Sequence, residues 1–274
     1  MDKAEAAPLN HAERDAQRVI DEWIKCNDTT AALDLSHLEL TELPELPHNL
    51  ETLNCYNNQL TKLPKLPHNL GTLNCYYNNL TKLPELPQSL TELDCFNNQL
   101  IKLSELPQNL KKLSCPNNQL TELPHLPHNL KELCCYNNQL IELPELPQSL
   151  IELSCNDNQL TSLPLLPQDL IELYCYNNQL IKLPELPSSL ELLYCFNNQL
   201  TSLPSLASSL KKLWCSGNQL TELPPLPQDL RRALSCHDNP LQYPPPEVMK
   251  RSVGKIKKWM SENPLNFAKS AGKC

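Results

Sequence analysis

From Leu50 onward the chain repeats itself every 20 residues without slippage, for nine consecutive copies that end near Asp229. Each copy reads close to L-x-x-L-x-C-x-x-N-x-L-T-x-L-P-x-L-P-x-x. A short fixed period cannot wrap around one central core. It stacks like units, each touching only its neighbours, and leaves function to one long open surface. The repeat also accounts for 26 prolines against 4 glycines, a periodic framework and not a disordered linker.

Within the copy that starts at Leu50, Leu53 and Cys55 alternate with Thr52, Asn54 and Tyr56. That is strand periodicity, with Leu and Cys facing inward. Asn58 then turns the chain, and its carbonyl and amide can both bond the backbone of adjacent coils. The column from Asn58 and Asn78 to Asn218 and Asn239 is therefore read as structural. Leu60, Leu63 and Leu66 return inward, while Pro64 and Pro67 hold the return arm extended or in polyproline II. One copy buries too few side chains to fold alone; stacking completes it.

Of 13 cysteines, ten (Cys55, Cys75, Cys95, Cys115, Cys135, Cys155, Cys175, Cys195, Cys215 and Cys236) share one repeat position. In a parallel stack they form a column about 4.8 Å apart, pointing the same way. Parallel side chains lack the facing geometry of a disulfide, and a line of thiols does not converge on a zinc ion. They are read as buried small hydrophobes, easiest to keep in a reducing compartment such as the cytosol. No metal and no cofactor is expected.

The ends depart from consensus, as caps should. Residues 1–29 carry Ala12, Ala16, Val19, Ile20, Trp23 and Ile24 at helical spacing, with a capping box at Asn10 and Glu13. Residues 30–49 form a degenerate coil with Leu33, Leu35, Leu38 and Leu40 inward and Leu38 where Asn belongs. Arg231 to Leu241 fits the motif with one inserted residue, so about 11 coils run through 30–243. Pro244 to Pro246 break the pattern, and Val248, Met249, Val253, Ile256, Trp259 and Met260 predict a capping helix within 244–262. Residues 263–274 are expected to be a flexible tail. Met1 to Asn10 lacks a secretory signal, and no run of 18 apolar residues offers a membrane span.

The formal charge of −8 is uneven. Residues 1–30 carry 4 basic and 7 acidic groups, residues 244–274 carry 7 and 2, and the array between them 12 and 22. An acidic body disfavours nucleic acid as the main ligand.

The spacing of Leu, Asn and Pro is that of a leucine-rich repeat. More narrowly, the leading helix, the L-P-E-L-P arms at Leu43–Pro47 and Leu83–Pro87, and N-x-L turns such as Asn58–Leu60 carry a resemblance. They resemble the LPX-type leucine-rich repeats of secreted bacterial effectors, the YopM and IpaH type, over residues 10 to about 241. The resemblance implies an α/β repeat solenoid: a right-handed superhelix with a parallel β-sheet on the concave face, extended convex arms and helical caps. It implies a binding scaffold without attached catalysis, since only about 30 residues follow Tyr243. The Asn239–Met260 stretch resembles tails that close other leucine-rich arrays.

Outward strand positions line the concave face. One column holds Tyr56, Tyr76, Phe96, Pro116, Tyr136, Asn156, Tyr176, Phe196, Ser216 and His237; a second adds Tyr174, Tyr194 and Trp214. Nine of the chain's 14 aromatic residues fall there, with Tyr77 beside them. One expected patch is Tyr56, Tyr76, Tyr77 and Phe96; a denser one is Tyr174, Tyr176, Leu192, Tyr194, Phe196 and Trp214. Two readings fit these rings: cross-strand stacking that stabilises the sheet, and a hot spot for a partner. Glu92, Lys112, Glu132, Glu152, Glu172 and Lys212, with Asp94 and Asp157, form a charged column suited to selecting a basic partner. Cys134 is the best candidate for a modifiable thiol; Pro116 suggests a local flaw in the sheet. Lys250, Arg251, Lys255, Lys257 and Lys258 give the last helix a basic face, read as a solvated cap.

No nucleophile, base and oxyanion group converge, so the expectation is a non-enzymatic protein-interaction scaffold, an effector if delivered to a host cytosol. The alternatives are a substrate-recognition subunit of a ubiquitin ligase with catalysis in trans, tested by co-purification, and a carbohydrate-binding module, tested on a glycan array.

Overall fold

The computed structural model describes residues 10–230 and 233–264. Two compact units divide at Leu140 and Ile141. The expected flexible tail lies, beyond Pro264, outside the described residues. So do residues 1–9 of the N-terminal stretch and the pair Arg231 and Arg232.

In the first unit, helix α1 (His11–Cys26) precedes strands β1 (Leu33–Asp34), β2 (Thr52–Asn54), β3 (Thr72–Asn74), β4 (Glu92–Asp94), β5 (Lys112–Ser114) and β6 (Glu132–Cys134). Each strand pairs in parallel with the next, residue i against i+20. The helix starts as its sequence suggests. Asn10 Oδ1 accepts the Glu13 N–H (2.9 Å) while Glu13 Oε2 accepts the Asn10 N–H (2.8 Å). Ala16, Ile20 and Trp23 bury against the first coil, and the Trp23 indole donates to Ala31 O at 2.9 Å. Ile24, expected on that face, is 53% exposed, because one residue past Trp23 the helix has turned about 100° away.

In the second unit, β7 (Glu152–Ser154), β8 (Glu172–Tyr174), β9 (Leu192–Tyr194), β10 (Lys212–Trp214) and β11 (Ala233–Ser235) also pair in parallel, residue i against i+20 except between β10 and β11, where Lys212 pairs with Ala233, one residue further on. Two helices follow, α2 (Pro246–Met249) and α3 (Val253–Glu262). The single capping helix expected over 244–262 is thus split. Ser252 takes an extended conformation (φ −66°, ψ 151°), and the new start lets Val248, Ile256 and Met260 all bury. Lys257 is pinned, donating to Pro227 O (3.2 Å) and Gln228 O (2.8 Å) of the last regular coil. The Tyr243 hydroxyl donates to Asn263 O at 2.8 Å.

The interior of each coil follows the motif. Leu50, Leu53, Cys55 and Leu60 are fully buried, and Leu63 and Leu66 nearly so, with the pattern recurring coil by coil. Leu38, expected inward, is only half-buried; beside it the Asn58 carbonyl accepts the N–H groups of Leu38 (3.1 Å) and Leu40 (3.0 Å). The asparagine column is a hydrogen-bonded spine. Asn178 Oδ1 accepts the Leu160 N–H (3.0 Å) and its Nδ2 donates to Cys155 O (3.0 Å) and Cys175 O (3.2 Å). One side chain thereby ties two coils together. No buried side-chain polar atom among the described residues lacks a partner.

Pro116 produces no flaw. A parallel ladder uses every second N–H. Here the Cys115 N–H donates to Cys134 O (2.9 Å) and the Asn117 N–H to Tyr136 O (3.1 Å), so the proline occupies a place the ladder skips.

Candidate functional site: the aromatic strand face

Strand geometry sends positions 52, 54 and 56 of each coil outward and 53 and 55 inward. In the first unit, Tyr56 and Tyr76 stack in parallel (centroids 4.4 Å apart, 8° between planes), and Tyr77 packs edge-on to Phe96 at 4.9 Å. Tyr77 is 46% exposed and stands at φ 52°. The equivalent positions of that unit, Asn57, Asn97, Asn117 and Asn137, share this left-handed conformation, which asparagine adopts at lower cost than a bulky residue such as Tyr77. Tyr136 is half-buried, and burial raises its phenol above the usual range.

The second unit holds the denser cluster. Tyr176 stacks on Phe196 (4.3 Å, 8°) and Tyr194 on Trp214 (4.3 Å, 6°). Tyr174 meets Tyr194 edge-on at 5.2 Å, and Phe196 lies tilted beside Trp214 at 6.3 Å. The four tyrosine and phenylalanine rings are half-buried because they cover one another; Trp214 is 40% exposed. Leu192 does not join the exposed patch. It is only 9% exposed, since its register sets it between Glu172 and Lys212, and a short apolar chain between two longer charged ones keeps to the sheet surface.

The carboxylates do different things. The Tyr174 hydroxyl donates to Glu172 Oε2 at 2.6 Å; burial and then this bond push the phenol well above its ordinary value. Lys112 pairs with Glu132 at 2.7 Å, and the hydrogen bond to that carboxylate raises the ammonium pKa. Asp157 accepts from Asn156 (2.7 Å) and Asn177 (2.6 Å), while Glu152 stands half-buried on β7. Among the described residues no group of three His, Cys, Asp or Glu side chains is placed to hold a metal ion.

The ten ladder cysteines are buried thiols with no disulfide among them. Burial drives their pKa up, to about 12 for Cys55, Cys155 and Cys195 and about 11 for the end residue Cys236. They are shielded from solution chemistry. Cys134, on the outer face, is half-buried, and Cys26 on α1 is exposed. Pairing Lys257 with backbone carbonyls leaves the basic face of α3 smaller than its sequence suggests.

Sequence reasoning located the rings but missed two residues that matter here. Ser235 is the register partner of Trp214 on β11, and Ser216 follows Trp214 by two in the neighbouring column; the signal was their small size against Tyr194 and Phe196 in the same columns.

Family models for leucine-rich repeats match residues 49–73 and, as two tandem copies, residues 188–228. Parallel 20-residue coils with inward leucines and an asparagine spine are the architecture those models describe. The chain belongs to the leucine-rich repeat family. Among solved structures it is similar to YopM from Yersinia enterocolitica, at 40% identity over 74% of this chain and 50% of that one, with a TM-score of 0.68. It therefore spans half the length of that relative. YopM from Yersinia pestis, a leucine-rich effector protein, matches at 32% identity over 87% of this chain and 91% of that one, with a TM-score of 0.44. A functional domain of InlJ from Listeria monocytogenes, which includes a cysteine ladder, matches at 26% identity over 73% of this chain and 52% of that one (TM-score 0.56). No curated protein is matched by the sequence. Among the described residues, no helix is long and apolar enough to cross a membrane.

Proposed function

We propose that the chain is a non-catalytic scaffold that recognises a partner protein through the outer strand face of its second unit. One observation carries this reading. Tyr174, Tyr194 and Trp214 stand in a column that elsewhere holds Asn54, Asn74, Ser114, Ser154 and Ser235, and coils close equally well around those small residues. The fold does not require rings there. Exposed aromatic clusters with a polar rim are where binding energy concentrates, and Glu152 and Glu172 supply an acidic rim.

Stacking between rings stabilises the sheet as well, by roughly 0.5–1.5 kcal/mol per pair. The test separates the two roles. The triple variant Tyr176→Ser, Tyr194→Ser and Trp214→Ser is compared with the native chain in affinity capture from lysate and in thermal unfolding. Lost capture with a fold retained supports recognition; a chain that no longer folds, or undiminished capture, refutes it.

Similarity to YopM supports a further reading as a secreted effector acting in a host cytosol. The ladder of buried cysteines with no disulfide among them fits a reducing compartment. Detection of the chain in the cytosol of host cells tests this; its retention in the producing cell counts against it.

A further inference from the structure

We propose that the free edge of β11 takes up an acidic, extended segment of another polypeptide as an added strand. This surface is separate from the ring face, and the inference stands without it. β11 is the last strand and pairs only with β10. In the coil before it, the Cys215 N–H donates forward to Ser235 O at 2.7 Å, and the Gly217 N–H, two residues on, to His237 O at 3.0 Å. The matching N–H groups of the last coil, those of Cys236 and Asp238, have no acceptor among the described residues. Nor does the cap close over this edge. Leu213, Cys215 and Leu220 are fully buried, but their counterparts Leu234 and Leu241 are half-buried and Cys236 is 9% exposed. The gap is a groove of about 410 Å³, with residues 234–237 as one wall and Met249, Val253 and Ile256 of the two helices as the other.

Backbone geometry and charge together select the occupant. Two free donors two residues apart match the carbonyls of an extended chain, which recur along one edge at that spacing. Such a strand sends alternate side chains inward, where Leu234, Cys236 and Leu241 offer an apolar floor. Lys250 and Arg251, both exposed, stand at the mouth of the groove, and neither side chain has a hydrogen-bond or ion-pair partner among the described residues. On the strand side Asp238 is already held by His237, at 2.6 Å. Lys212, the register partner of Ala233, adds a further positive charge, while Glu247 of α2 does not line the groove. The occupant is therefore a strand-forming segment in which apolar residues alternate with Asp or Glu. Residues 265–274 carry Lys269 and Lys273 and no acidic side chain, the wrong charge for this edge.

The test titrates the full chain into three fluorescein-labelled nonapeptides, read by fluorescence anisotropy: alternating Glu and Val, alternating Lys and Val, and alternating Glu and Pro. The Glu/Val peptide should bind. The Lys/Val peptide has the wrong charge and the Glu/Pro peptide cannot complete the ladder, so each should bind at least about tenfold more weakly. Lys250→Ser combined with Arg251→Ser should weaken the Glu/Val peptide about fivefold, as expected for two exposed charge pairs. Lys250→Glu combined with Arg251→Glu should reverse the preference in favour of Lys/Val. Amide hydrogen exchange read by mass spectrometry should slow over residues 233–239 when the Glu/Val peptide is bound. Failure of the Glu/Val peptide to bind overturns the proposal, and shows Lys250 and Arg251 to be only a guard against edge pairing. Parity between the Glu/Val and Glu/Pro peptides, or binding without slowed exchange over 233–239, overturns it as well. So does slow exchange there in the free chain, which in a monomer by sedimentation points to residues 265–274 as the occupant and in a dimer to a second copy. Circular dichroism checks the fold of each variant; the peptide series and the exchange measurement use the native chain and decide the matter by themselves.

Discussion

Replacing Asn178 and Asn198 with alanine, singly and together, tests whether the asparagine spine works as a chain of shared bonds. In Asn178→Ala, the buried Leu160 N–H loses its acceptor. A buried orphan donor costs about 1–3 kcal/mol. Cys155 O and Cys175 O also lose a bond, but each keeps a second donor: Asn158 at 3.2 Å and Asn198 at 3.0 Å. Those two losses cost about 0.5–1.5 kcal/mol each, so the single variant should lose about 2–6 kcal/mol. The double variant does more than add a second such loss. Cys175 O takes side-chain bonds from both Asn178 and Asn198, and only when both are gone does it lose both. A coupling of about 1–3 kcal/mol should appear. Asn178 and Asn218 share no acceptor, so that pair should be additive within about 0.5 kcal/mol. Urea unfolding of the cycle, followed by circular dichroism with linear extrapolation, measures both couplings. Coupling in the adjacent pair no larger than in the separated pair would refute the shared-acceptor argument.

Three further outcomes are expected. The ladder thiols have pKa values raised by burial, from 9.0 to about 12 for Cys55, so the folded chain holds protons that the unfolded chain releases. Their stabilising contribution is complete below about pH 9 and is lost as pH rises toward 12. The urea midpoint should fall steeply across that window, less so in Cys75→Ala/Cys95→Ala; a flat profile between pH 9 and 10.5 would contradict this. In thiol labelling read by peptide mass mapping, Cys26 should react in the native chain while the ten ladder cysteines react only on unfolding. Fast native labelling of Cys115 would show the core to be open. Asn197 lies at φ 51°, so Asn197→Ala should cost about 1–2 kcal/mol and Asn197→Gly much less, measured by thermal or urea unfolding. Equal effects would remove backbone conformation as the reason for asparagine there.

The strands, the thiol column, the asparagine spine and α1 were legible because each follows from a period: 20 along the chain, two along a strand, 3.6 along a helix. What was not legible depends on neighbours in space. Tyr176 and Phe196 were expected to display their rings, yet they spend a face on each other, and no local pattern reports that. Leu192 reads as exposed from alternation alone, but its burial is set by Glu172 and Lys212 on adjacent coils. The harmlessness of Pro116 could have been worked out beforehand from the alternation of a parallel ladder. Lys257 looked like part of a solvated basic face; the path of α3 across the last regular coil decided otherwise. The backbone position of Tyr77 had a visible cue in its column of asparagines, whereas its exposure did not.

The spine has an evolutionary corollary. Because Asn178 grips the coil before it in the same way that Asn198 grips the next, every joint within the second unit is interchangeable. A gene can therefore gain or lose 60 nucleotides at a time without creating a mismatched surface, whereas a smaller insertion must be absorbed at an end. The one extra residue in this array falls just ahead of β11, and Asn239 there still accepts the Leu220 N–H at 3.0 Å. Array length is consequently a freely adjustable trait, and the spacing between the rings of the strand face can be reset by unequal crossing-over rather than by point mutation.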